Sequence, residues 1–115
     1  MSTDWVVHLL TNDHHAELVA SGSAVEPGPG GFVHLSSPAQ VAIPANLFYD
    51  GPELMLMWFR PEVLGAAVVW EAGDPPTPGM LFPHLYGALD LTLASATTIY
   101  RREDAGRFGE PTLPT

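Results

Sequence analysis

The stretch Gly31-Phe-Val-His-Leu-Ser-Ser-Pro-Ala-Gln40 constrains the fold more tightly than any other part of the chain. Phe32, Val33 and Leu35 read as a short strand. Ser37 then opens a helix: its side chain can cap, Pro38 suits the first helical position, and Gln40 can reach back to the Ser37 amide. The strand and the helix start account for these residues. His34 and Ser36 are left over, two apart and so on one face of extended chain. They could form one wall of a small-molecule site.

The segments before this stretch supply a strand and a helix. Trp5-Val-Val-His-Leu-Leu10 reads as a first strand, with His8 in its middle on a partly apolar face. Histidine is a candidate there because its charge can change near neutral pH. Thr11-Asn12-Asp13 can cap a helix that runs through Ala20 and ends at Gly22. His14 and His15 lie about 100 degrees apart on that helix. With no third ligand at helical spacing they make a poor metal pair and read as surface residues. Ser21 to Gly31 is a loop. Its Gly28-Pro-Gly-Gly31 precedes a strand, and no Gly-Lys-Ser/Thr follows, so it is not a phosphate-binding loop.

After the stretch, a second helix is expected from Pro38 to about Phe48. Pro44 should remove an internal hydrogen bond and bend or divide it. Leu54-Met-Leu-Met-Trp-Phe59 is a continuous apolar run and the best candidate for a central buried strand. Glu62-Val-Leu64 can form a helical turn before Gly65. Ala67-Val-Val-Trp-Glu-Ala72 is the next strand. Its Glu71 is either a surface carboxylate or a group that holds a ribose hydroxyl, orients a histidine or stabilises positive charge. Gly73 to Gly79 is a stiff connection. In Met80-Leu-Phe-Pro-His-Leu-Tyr-Gly87, His84 and Tyr86 point the same way in extended chain and suggest an aromatic and imidazole wall. Leu91 to Ala94 and Thr97 to Arg101 read as a final strand or an interrupted pair. Arg101, Arg102 and Arg107 relieve an acidic surface, and a loose tail is expected from about residue 103. With five or six short strands and two helices ahead of the third, the class is α+β, in a single domain over residues 1–115.

Composition removes several functions. The 115 residues carry 13 acidic groups, four arginines and no lysine, for a net charge of -9. That opposes nonspecific nucleic-acid binding, which needs a basic surface, but leaves room for a small phosphorylated or dinucleotide ligand. The absence of cysteine excludes disulfides, thiol nucleophiles and thiolate metal sites. No metal is expected. Met-Ser-Thr-Asp-Trp lacks the basic start of a signal peptide, and no apolar run approaches the roughly 20 residues that span a bilayer. A soluble, cytoplasmic protein without membrane contact is expected.

His8, Gly31-Phe-Val-His-Leu-Ser36, Gln40, Phe48-Tyr49, Glu71 and Phe82-Pro-His-Leu-Tyr-Gly87 together resemble the DUF952 family of small bacterial proteins, over about Val6 to Tyr100. The resemblance implies an ADP-ribosyltransferase-like fold, a split, mostly antiparallel sheet with two short helices that encloses an NAD-like nucleotide. By position, His8 matches a polar residue on that superfamily's first strand, and His34 to Ser36 match its second motif. Glu71 and His84 compete for the place of its late glutamate. The implied catalytic set is His8, Glu71 and His84. The implied ligand contacts are His34, Ser36, Tyr49 and Tyr86.

Two functional classes follow. In the first, the protein transfers or hydrolyses ADP-ribose: a carboxylate steadies the oxocarbenium-like centre left by nicotinamide, His8 and Ser36 hold hydroxyl or phosphate oxygens, and Tyr49 or Tyr86 stacks on nicotinamide. In the second, the domain binds a nucleotide or other small molecule without turnover. Hydrolysis by a histidine–serine pair is weaker, since Ser36 lies in no Gly-x-Ser-x-Gly elbow.

Overall fold

A computed structural model describes residues 4–73 and 75–114. Two three-stranded antiparallel sheets make up the frame. The first has the order β1 (Val6–Leu10), β3 (Glu53–Phe59), β6 (Ala96–Arg101). The second has the order β2 (Val33–His34), β5 (Leu81–Leu85), β4 (Val68–Ala72). Among the described residues the helices are α1 (Asn12–Ser21), α2 (Ala42–Phe48) and α3 (Pro61–Leu64).

The continuous apolar run of β3 follows from its place. It is the middle strand of the first sheet, with Leu10 opposite Met55 on one side and Tyr100 opposite Leu54 on the other. Successive side chains alternate between two cores. Met57 and Phe59 pack with Val6, Leu10, Val33, Leu35, Leu85 and Leu89 between the sheets. Leu54, Leu56 and Trp58 pack with Val7, Val41, Ala45, Tyr100 and Phe108 on the opposite face. A strand buried on both sides has no polar face to show in its sequence.

The sheets are joined where the opening stretch passes β1. Ser36 donates its amide to Val7 and accepts from the Val7 amide, at 3.0 and 2.8 Å. The Leu35 amide donates to the Pro83 carbonyl of β5. This short segment therefore bonds to both sheets and forms their seam.

Local signals set the first helix. Thr11 Oγ1 accepts from the His14 amide, and Gly22 closes α1 in the left-handed conformation. Gln40 Oε1 accepts the Ser37 amide, as expected, but α2 itself begins at Ala42 after a turn over 38–41. Pro44 then falls in the first turn of α2, where a missing amide costs nothing, and it divides turn from helix rather than bending one long helix.

Three expectations are corrected. Among the described residues the helices number three rather than two, because the turn expected before Gly65 is a helix of its own, started by Pro61 and ended by Gly65 at φ 70°. Residues 91–93 form a 3-10 turn rather than a strand, since Asp90 caps it through the Thr92 amide and hydroxyl. The residues beyond 103 are not loose as far as Gly109. Phe108 is buried, its amide and carbonyl bond Asn46, and Arg102 lies over its ring at 4.4 Å. Arg102 also donates to the carbonyls of Tyr49, Gly51 and Gly106, which ties α2 to the C-terminal segment. No helix among the described residues is long and apolar enough to cross a membrane.

Candidate functional site

A cavity of about 580 Å³ opens at the seam. Its polar wall comes from both sheets: His8 on β1, His34 on β2, Ser36 just after it, and His84 on β5. Its apolar wall comes from Phe32, from Ile43, Pro44, Leu47 and Phe48 of α2, and from the prolines of the β4–β5 connection. Tyr49 lines it at the end of α2, where burial raises its hydroxyl pKa.

His84 is its most constrained polar residue. It is 2% exposed and faces His34 across the β2–β5 pair. Val69 of β4 stands opposite His84, and Glu71 lies two residues further along β4, on the same side of the sheet as His84. Its Oε2 sits 2.7 Å from His84 Nδ1. The same oxygen accepts the Tyr86 hydroxyl. The Tyr86 bond and then the His84 bond hold the Glu71 carboxyl below the usual carboxylate range. The reciprocal effect raises the Tyr86 hydroxyl. An ionised carboxylate only accepts, so Tyr86 and His84 Nδ1 both donate to it. In its neutral form the His84 ring then carries its lone pair at Nε2. That atom is buried and has no hydrogen-bond partner. Glu71 is not part of the cavity lining, whereas His84 is.

His8 follows the same logic with a different acceptor. Its Nδ1 lies 2.8 Å from the His34 carbonyl, which can only accept, so Nδ1 carries the proton. Burial lowers its pKa to about 4. The ring is neutral at physiological pH, with Nε2 as its remaining acceptor.

Phe32 completes the group. Its ring stacks on His84 with centroids 3.9 Å apart and 15° between planes, and it meets His34 edge-on at 4.8 Å. His34 in turn meets His84 at 5.3 Å. A β-carbon on Gly30 would stand 2.7 Å from the Phe32 ring, and Gly30 has φ 94°, so glycine is required there. Gly73 permits a similar approach by Phe82 on the other rim.

The structure therefore gathers His8, His34, Ser36, Tyr49 and His84 around one cavity. Glu71 and Tyr86 stand behind His84 rather than in the lining. His14 and His15 stay on α1 and do not line it. Among the described residues, no group of three or more His, Cys, Asp or Glu is placed to hold a metal ion. Reading Phe32 as a sheet residue missed its place in the site, although it shares the alternating face of His34 and Ser36. The α2 wall had no comparable local signal.

The match to known proteins agrees with this architecture. A crystal structure of CC0527 from Caulobacter crescentus is similar over 90% of this chain and 92% of that chain, with a TM-score of 0.75 and 26% identity. A solution NMR structure of CC0527 is similar over 91% of each chain, with a TM-score of 0.74 and 24% identity. No curated protein matches the chain. These likenesses give no support to the expected ADP-ribosyltransferase-like assignment. The profile of the family described as "Protein of unknown function (DUF952)" matches residues 6–97, and the chain belongs to that family.

Proposed function

We propose that the seam cavity binds a small organic molecule and that His84, oriented by Glu71, is the group that bonds it and can exchange a proton with it. The observation that carries this reading is the buried, unpartnered Nε2 of a histidine whose other nitrogen is tied to a carboxylate. A buried polar atom without a partner is costly unless a ligand fills its need. A carboxylate at Nδ1 fixes the tautomer and steadies the imidazolium if Nε2 takes a proton, the arrangement of a general base. Phe32 and His34 pack on the ring, so a ligand reaches Nε2 by shifting them. A thermal-shift screen of neutral and anionic small molecules tests the reading. Compounds that stabilise the wild type should lose that effect in His84→Phe. Equal stabilisation of both proteins would overturn it.

The second reading is an NAD-like ligand with ADP-ribosyl transfer or hydrolysis. It is favoured by a cavity that takes residues from two separate antiparallel sheets and by the aromatic groups Phe32 and Tyr49 in its wall. The residues present do not fit a pyrophosphate. None of the four arginines lines the cavity, and Glu26 does. The seven-residue α2 provides no anion site in their place. Glu71, the carboxylate assigned to the nicotinamide riboside, is engaged by His84 and Tyr86. Release of nicotinamide from NAD by the purified protein, lowered in Glu71→Gln, would establish this reading. No release and no NAD binding at millimolar concentration would remove it.

A further inference from the structure

We infer that the cavity selects an uncharged, unphosphorylated ligand that donates a hydrogen bond through N–H or O–H to His84 Nε2, with His8 Nε2 as a second acceptor. This inference rests on the reading of the cavity as a small-molecule site and adds the chemical class of its occupant.

The argument counts donors and acceptors around the lining. His84 gives its ring proton to Glu71, and His8 gives its own to the His34 carbonyl. With the proton held at Nδ1, each ring in its neutral form meets a ligand only as an acceptor. The two commitments come from different elements and different acceptor types. Glu26 adds a third acceptor at the rim. Against these stand no lysine in the chain and no arginine in the lining. Arg60 lies over Trp5, Arg101 pairs with Glu53, and Arg102 is spent on three carbonyls. Hydroxyls of Ser36, Tyr49 and Thr77 can donate, but a hydroxyl does not neutralise a desolvated carboxylate or phosphate. A wall with lone pairs, a carboxylate and apolar rings therefore penalises anions and rewards donors. The apolar surface of Phe32, Phe48, Ile43 and Pro44 suits a flat hydrocarbon or heteroaromatic body.

Three probes of one shape family, benzamide, N,N-dimethylbenzamide and benzoate, and a phosphorylated fourth, ADP-ribose, separate the alternatives. Each is titrated into the full-length protein, and the imidazole nitrogens of ¹⁵N-histidine-labelled protein are followed by NMR. Benzamide should move the His84 Nε2 resonance and bind about tenfold or more tightly than its dimethyl analogue, which offers no donor. Benzoate should bind more weakly than benzamide, and ADP-ribose should leave the histidines unmoved. If benzoate or ADP-ribose binds at the histidines as tightly as benzamide, the inference fails while the cavity reading stands. Equal binding of benzamide and its dimethyl analogue also overturns the inference alone. If none of the four perturbs His8 or His84 at millimolar concentration, both fail.

Discussion

The two faces of the first sheet differ in how completely they satisfy their polar groups. Toward the C-terminal segment, the polar side chains of Trp58, Asn46 and Tyr100 all have partners. Trp58 Nε1 donates to Thr98, Asn46 bonds both the amide and the carbonyl of Phe108, and the Tyr100 hydroxyl donates to the Gly109 carbonyl. Burial raises the Tyr100 hydroxyl to about 12, so it stays protonated as a donor. At the seam with the second sheet, a buried imidazole keeps an unfilled acceptor beside a cavity. The difference separates residues that hold the chain together from residues available for a ligand. Substitutions on the first face should cost stability, and those at the seam should cost binding.

The largest expected effect breaks the closed face. Trp58→Ala removes a fully buried ring and its bond to Thr98, and should destabilise the protein by about 4 kcal/mol in urea unfolding. Phe108→Ala should cost about 3 kcal/mol by the same mechanism, whereas a loose tail would leave the midpoint unchanged. Ligand affinity measured on the folded fraction should be unaltered in both.

The next effect is on the seam and depends on pH. The His8 pKa is lowered to about 4 in the folded protein from an ordinary value of 6.5. Between those values the unfolded chain binds more protons, so stability falls as pH drops from 6.5 to 4 and is flat above that window. His8 is only partly buried, so solvent screening tempers the shift and the loss should be about 2 kcal/mol. His8→Phe should flatten the slope in urea melts across this range. Glu71 acts in a lower window, because its depressed pKa gives stability that is present above the ordinary carboxylate value and lost below it. An unchanged slope in His8→Phe would place the titrating group elsewhere.

His84→Phe sharpens the comparison by its small effect on folding. The substitution deletes an unpartnered buried nitrogen together with the Nδ1 bond to Glu71, whose carboxylate keeps Tyr86 and reaches solvent, so the two changes offset and the loss of stability should be far smaller than in Trp58→Ala while ligand binding is lost. A loss as large as that of Trp58→Ala would make His84 a structural residue. The smallest effect is expected for Tyr86→Phe. It removes the main hydrogen bond that lowers the Glu71 pKa, so the Glu71 carboxyl should titrate at higher pH in ¹³C NMR with the melting temperature unchanged.

Much of this contrast is written locally in the chain. Thr11 and Gly22 mark both ends of α1, and the unbroken run from Leu54 to Phe59 marks a strand buried on both sides. The alternation of Phe32, His34 and Ser36, and of Phe82, His84 and Tyr86, places the wall-forming side chains on common faces. The pairing of Glu71 with His84 depends on the β4–β5 register, which no short-range pattern encodes. Arg102 and Phe108 were read as surface and tail because their partners, Tyr49, Gly51 and Asn46, lie more than fifty residues back. Local periodicity reports a face, while long-range pairing decides what that face meets.

The central claim concerns one nitrogen, and one spectrum tests it. Long-range ¹H–¹⁵N correlation of the His84 imidazole at neutral pH should show Nδ1 protonated and Nε2 bearing its lone pair, with Glu71→Gln weakening that preference. A proton on Nε2 in the wild type, or the same tautomer ratio in Glu71→Gln, would contradict the account.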